Sequence, residues 1–267
     1  MTKRVLSPLG YELAFNKVDA ENDNRPGLIF LHGLKSNKEG SKAFHLESFA
    51  IRRGLANIRM DCMAHGMSGG DWMQATISKW KDDVLHILDT VADPTRKHII
   101  IGSSMGGWLA LLAALERPEK VAGVIGIAAA PDFTREITSE SMSEEQKEQL
   151  KTKGYFEQPS GFPEPYIFTQ DLIHDGETNC LLDKDIELTC PVHLLQGKQD
   201  PAVPFEKANR IASKLTKTSP RVTFVEDGDH SLSRPEDLKL IEDIIEQMIA
   251  ECRPCLIEQP SASMSSN

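Results

Sequence analysis

The sequence predicts an α/β fold, a mostly parallel sheet with helices on both faces, and three observations carry that prediction. Short apolar or β-branched runs alternate with helical stretches along most of the chain. The run Leu28-Ile29-Phe30-Leu31 has no polar position, as expected of a strand buried on both faces. A glycine-bracketed serine, Gly102-Ser103-Ser104-Met105-Gly106, stands between a β-branched run and an alanine- and leucine-rich helical stretch.

Taken in order, strands are predicted over 11–18, 26–31, 57–62, 97–102, 121–129, 191–196 and 221–226. Helices are predicted over 78–92 and 109–117, with another beginning near Pro235. The chain has 267 residues, enough for one well-buried domain with a modest insertion and too few for two full domains of this kind. The rhythm breaks between Pro131 and Thr189. That gap holds a charged helix candidate over 143–151, then Gly154-Tyr155-Phe156 and the aromatic, proline-rich run from Phe162 to Phe168. An insertion between two sheet strands is the usual place for a cap over a site. The expected organisation is therefore a core formed by 1–131 and 189–251, a cap over 132–188, and a tail, 252–267, whose Ser, Gln and Pro content predicts disorder.

The five residues around Ser104 are the most informative. Strand, tight glycine turn and helix follow one another in the order of a nucleophile elbow. Side chains at Gly102 or Gly106 would crowd the backbone where strand and helix meet, so the turn exposes the serine at the sheet edge. The next amide, that of Met105, would start a helix, where partial positive charge collects.

A serine hydroxyl needs a base, and the base needs an orienting carboxylate. Asp200 falls just after the strand 191–196, and His230 follows the strand 221–226 in Glu226-Asp227-Gly228-Asp229-His230. Asp227 and Asp229 compete as the acid. Asp200 is favoured because the other two are too close in sequence to leave the histidine free to reach Ser104. His32, in Leu31-His32-Gly33, and His65, in Ala64-His65-Gly66, read as turn or packing histidines.

The order nucleophile, acid, histidine, each in a loop after a strand, resembles that of the α/β-hydrolase superfamily, and the resemblance runs from about Arg25 to Ala250. Within it the chain looks like the branch that contains the mitochondrial palmitoyl-protein thioesterase and acyl-glucuronide esterase of mammals. That likeness rests on Ser36-Asn37, Gly40-Ser41-Lys42-Ala43, Ser103-Ser104-Met105-Gly106-Gly107-Trp108, Arg117-Pro118-Glu119-Lys120-Val121 and Asn179-Cys180-Leu181-Leu182. One departure is Cys62 after Asp61, where many relatives carry an aromatic residue. The resemblance implies a catalytic Ser104, Asp200 and His230. His32-Gly33-Leu34 resembles the loop that supplies the second oxyanion donor, which makes the Leu34 and Met105 amides the expected pair. The reaction expected is hydrolysis of carboxylic esters or acyl thioesters, with no cofactor or metal. A carbon-carbon bond hydrolase or an acyltransferase would use the same three residues, and an idle hydrolase fold acting as a binding module is the alternative from another class.

Candidate substrate-binding residues are Phe133, Phe162, Tyr166 and Phe168 of the insertion, together with Val203 after the acid. The aromatics would face an apolar acyl or aryl group, or else only hold the cap to the core.

Composition excludes some partners. With 30 basic and 40 acidic residues the formal charge is −10, which speaks against nucleic acid or an anionic membrane as the main partner. No apolar run reaches spanning length, and nothing like a leader or transit peptide is read before Thr2. Five cysteines without such a leader suggest reduced thiols, so cytoplasmic residence is expected. Cys252-Arg253-Pro254-Cys255 follows the last helix rather than opening one after a strand, which disfavours a redox or metal role. Oligomeric state is left open.

Overall fold

The computed structural model describes residues 1–20, 24–138, 142–160 and 164–252. In chain order the elements are β1 (Lys3–Leu6), β2 (Glu12–Val18), β3 (Gly27–Leu31), α1 (Ser41–Arg53), β4 (Asn57–Met60), α2 (Ile77–Thr90), β5 (His98–Ser103), α3 (Met105–Glu116) and β6 (Val121–Ile127). The chain then leaves the sheet for α4 (Phe133–Glu136), α5 (Glu144–Lys153), β7 (Tyr155–Gln158), β8 (Tyr166–Thr169) and α6 (Gln170–Thr178). It returns through β9 (Val192–Gly197), α7 (Glu206–Lys214), β10 (Arg221–Val225) and α8 (Pro235–Glu251).

Eight strands form one sheet in the order β1-β2-β4-β3-β5-β6-β9-β10. β1 pairs antiparallel with β2, and β2 antiparallel with β4. From β4 across to β10 every pairing is parallel. All the parallel strands therefore end on the same side, where open α/β sheets collect their ligands. Both faces are covered. On β5, Ile100 packs into a cluster with Trp80 and Trp108 of α2 and α3, while Ile99 and Ile101 pack into the other with Phe49 of α1 and Ile245 of α8. Alternate side chains of one strand serve two cores, which is why these strands read as unbroken apolar runs.

Boundaries differ from the sequence reading for local reasons. The strand expected to run to Cys62 ends at Met60 because the Asp61 carboxylate turns into the neighbouring loop, accepting from the Lys38 amide at 2.6 Å and the Met67 amide at 2.8 Å. The strand expected to reach Ala129 stops at Ile127, since Ala128 takes a left-handed φ of 46°. β1 and the β7–β8 hairpin were not anticipated. β1 is a mostly exposed edge strand and carries no apolar alternation. The charged helix expected over 143–151 is α5, whose N-cap Ser143 and Gln146 form a reciprocal capping box.

The excursion between β6 and β9 is tied down at several points. The Asp132 carboxylate accepts from the Leu181 and Leu182 amides at 2.8 and 2.9 Å, and Trp108 donates from its indole to the Asn179 carbonyl at 3.1 Å. Trp72 does the same for the β7–β8 hairpin, donating to the Ile167 carbonyl at 3.0 Å. At the other end of the chain, Cys252, expected in the tail, instead caps α8 and its thiol donates to the Ala122 carbonyl; Cys255 and the rest of 253–267 lie outside the described residues. Among the described residues no helix is long and apolar enough to cross a membrane.

Candidate active site

The turn from β5 into α3 is built by glycines that nothing larger could replace. A Cβ on Gly102 would lie 2.1 Å from the Gly106 carbonyl oxygen, and one on Gly106 would lie 2.4 Å from that of Leu31. Gly107 is pressed against Ala129 in the same way, at 2.5 Å. These approaches draw α3 tightly onto β3 and β5 and force Ser104 to φ 54° and ψ −117°. A non-glycine residue there stores backbone strain. Its backbone is held from both sides: the Ser104 amide donates to Ile127 at 2.9 Å, and its carbonyl accepts from Gly107 and Ala130.

Asp200 and His230 come from the ends of β9 and β10, next to each other in the sheet. His230 Nδ1 donates to Asp200 Oδ2 at 2.8 Å. With that nitrogen protonated, the neutral ring presents an unprotonated Nε2. The Asp200 side chain is sealed from solvent while that of His230 is a third exposed. Oδ2 also accepts from Gln196 Nε2 at 2.9 Å, and Oδ1 accepts from the Ala202 and Val203 amides at 2.8 and 2.9 Å. Burial opposes ionisation, but the His230 and Val203 hydrogen bonds outweigh it and hold this carboxyl below the usual aspartate range. The competing acids are engaged elsewhere. Asp227 pairs with Arg234 at 2.7 Å, and Asp229 closes a turn on the Ser231 and Leu232 amides.

His32 does more than pack. It is buried, its Nδ1 donates to the Gly33 carbonyl at 2.8 Å, and its Nε2 accepts from the Cys62 amide at 3.2 Å. Burial drives its pKa down, which keeps the ring neutral and able to do both. The Gly33 carbonyl accepts from Ser36 as well, at 3.1 Å. In a trans peptide C=O and N–H point oppositely, so with the carbonyl held by His32 and Ser36 the Leu34 N–H points away from both of those donors. The Met105 N–H, in the first turn of α3, has no intrahelical acceptor. His65 lies tilted against His32 with ring centres 4.7 Å apart, and burial pushes its pKa down to about 3.

Ser104, His230, Leu34 and Met105 line one cavity of about 1000 Å³. Phe133, Tyr166, Phe168 and Val203 line it too; Phe162 lies outside the described residues. Phe168 is nevertheless mostly core, 2% exposed and stacked on Phe156 at 5.3 Å, because the hairpin needs its own apolar layer. Several lining residues escaped the sequence reading: Ile137, the ion pair of Lys207 with Glu136, and Lys42, quoted there only as part of a resemblance. Gln196 had one legible signal. It is the polar residue next to the end of a strand whose other polar position is His193, and a buried amide must find partners.

Residues 22–154 match the family described as serine aminopeptidase, S33. Human palmitoyl-protein thioesterase ABHD10, mitochondrial, is 35% identical over 239 residues, covering 89% of this chain and 76% of that one. The crystal structure of a putative hydrolase from Agrobacterium vitis S4 has a TM-score of 0.89 at 37% identity, covering 93% of this chain and 98% of that one. Mouse alpha/beta hydrolase domain-containing protein 10 has a TM-score of 0.84 at 33% identity, covering 94% and 99%. One expectation is overturned: relatives this similar are named as mitochondrial, so cytoplasmic residence, inferred from the N-terminal residues and the cysteines, is withdrawn.

Proposed function

The chain belongs to the α/β-hydrolases, in the family of the mitochondrial palmitoyl-protein thioesterases it matches along most of its length, and from that premise we propose that Ser104, His230 and Asp200 are its catalytic triad. It is a hydrolase of acyl esters or thioesters. In the proposed mechanism Ser104 Oγ attacks the acyl carbon and His230 Nε2 takes its proton. The tetrahedral oxyanion lies against the Leu34 and Met105 amides. Collapse breaks the bond to the leaving oxygen or sulfur, which receives the proton back from His230. Water then repeats the sequence on the acyl-enzyme, releasing the acid and the free serine. Asp200 keeps its charge throughout and stabilises the imidazolium that forms at each step.

The observation that carries this reading is the 2.8 Å bond from His230 to a sealed carboxylate, beside a strained Ser104 in one cavity. We read 132–188 as a cap: Phe133, Tyr166 and Ile137 are half-buried in the cavity wall, an apolar surface suited to an acyl chain. Labelling with a fluorophosphonate tests the assignment. Wild type should be modified at Ser104 and Ser104→Ala should not. Labelling that persists in Ser104→Ala, or a wild type that never labels, overturns it.

A further inference from the structure

Lys42 lines the same cavity, yet the chemistry above does not use it. It sits in the first turn of α1, where a cation opposes the helix dipole, so its position does not serve the helix. Its ammonium donates to the Ser231 carbonyl and, at 3.2 Å, to Ser233 Oγ. Ser233 Oγ donates in turn to the same carbonyl at 3.0 Å. The gripped carbonyl belongs to Ser231, the residue that follows His230.

We propose that Lys42 is a positioning residue for His230, clamping the loop that carries the histidine to α1. Asp200 constrains only the ring; the backbone that follows it needs separate anchors. Asp229 supplies one, through the Ser231 and Leu232 amides at 3.0 and 2.9 Å. Lys42 supplies the other from an element 189 residues away in sequence. Small displacements of a base from its nucleophile are expensive, about 100-fold for an ångström.

The charged surroundings make the clamp sensitive to pH. Asp229 of the loop and Asp237 of α8 both favour the ammonium, while Arg234 lies nearby and is paired with Asp227 and Asp237. On α1 itself His45 is paired with Glu242 of α8. Burial is the largest influence and brings the Lys42 pKa down to about 8. As pH rises through that value the amine keeps its N–H groups but loses its attraction to both aspartates.

The inference rests on His230 being the base, and its test separates the two. Wild type, Lys42→Met, Lys42→Arg and Ser233→Ala are compared on a neutral acetyl ester from pH 5.5 to 9.5, with competent sites counted by fluorophosphonate. Lys42→Met should lower kcat by about 10-fold or more at pH 7 with KM nearly unchanged, and should lack the decline expected of wild type above pH 8. Lys42→Arg should recover most of kcat, and Ser233→Ala, which removes both bonds of the Ser233 hydroxyl but leaves Lys42 on the Ser231 carbonyl and is safe if Lys42→Met folds poorly, should fall between. Unchanged kcat and pH profile in Lys42→Met and Ser233→Ala would overturn the proposal while leaving the labelled triad standing. A raised KM at constant kcat would also overturn it, by making Lys42 a leaving-group contact. Failure of wild type to label would instead remove the triad reading itself.

Discussion

Asp200 and His230, thirty residues apart, meet at 2.8 Å through a carboxylate that already accepts three other hydrogen bonds, from Gln196, Ala202 and Val203. Four donors on one buried carboxylate leave it a single orientation. The imidazole it orients is thereby held in one tautomer.

That arrangement predicts a graded series. Asp200→Asn should lower kcat by about 10³- to 10⁴-fold, because an amide can present its NH2 to Nδ1 and stabilise the wrong tautomer. Gln196→Leu removes one donor from Oδ2 and should lower kcat by only about 10-fold, with KM for an acetyl ester nearly constant. Steady-state kinetics on purified, folded variants decide it. Full activity in Asp200→Asn together with its loss in Asp229→Asn would move the acid to Asp229.

The glycines of the elbow should separate folding from chemistry. Gly106→Ala sets a Cβ 2.4 Å from one backbone oxygen and 2.7 Å from another, which no side-chain rearrangement can relieve. It should destabilise by about 3 kcal/mol or more, seen as a lower denaturation midpoint or loss of soluble protein. Gly33→Ala sets a Cβ 3.3 Å from that of Ser104, where a shift of a few tenths of an ångström suffices. This variant should fold and lose about 10-fold in kcat, since what shifts is the nucleophile or the oxyanion peptide. Equal stability loss in both would refute the distinction.

The fold and the elbow were legible because they rest on period and on local sterics: unbroken apolar runs at β3 and β5, glycines flanking a serine, an acid and a histidine after late strands. What escaped depends on chain crossings that leave no local mark. Lys42 meets Ser231 across 189 residues, and nothing in Gly40-Ser41-Lys42-Ala43 announces a clamp on a distant loop. β1 is held by its pairing with β2 rather than by its own propensity, whereas β8, Tyr166–Thr169, is rich in strand formers whose partner strand β7 no local signal identifies. His32 reads as a turn or packing residue because its bond to the Cys62 amide depends on where β4 ends, and its bond to the Gly33 carbonyl on how the following loop turns.

Acid should unfold the protein through its buried histidines. Burial brings His98 down to about 4, with Arg96, Lys17 and Lys120 adding to the effect and Asp93 opposing it. The unfolded chain takes up this proton near 6.5 and the folded chain does not, so the stability attached to a neutral His98 is complete above pH 6.5 and is lost as pH falls towards 4. The loss should amount to about 3 kcal/mol. His98→Phe, which keeps a ring against Gly27, should flatten that part of the curve. Urea midpoints at pH 7, 5.5 and 4 would show it, and an unchanged slope in the variant would assign the acid sensitivity to His65 or other groups.

Acyl-chain selectivity should follow the half-buried wall of the cavity rather than all of its aromatics. Each methylene that becomes buried contributes up to about 0.8 kcal/mol, or roughly 4-fold in kcat/KM, until the space is full. In a cavity of about 1000 Å³ the rise should extend over several carbons, for oxygen esters and thioesters alike, and then reverse as further carbons clash or stay in water. Phe133→Ala and Tyr166→Ala remove wall without removing core, so they should move the optimum towards longer chains and leave turnover of an acetyl ester within a few-fold. Phe168→Ala is different in kind. That ring is 2% exposed and stacked on Phe156, and its loss should destabilise the protein by about 3–5 kcal/mol before any change in selectivity can be read. Peptides should be poor substrates, because expelling an amine requires stronger protonation than expelling a thiol or an alcohol. An acyl-length series with wild type and the three variants, run beside thermal melts, checks each part. Identical responses of acetyl and long-chain esters to Phe133→Ala and Tyr166→Ala would mean that the acyl group does not lie under 132–188.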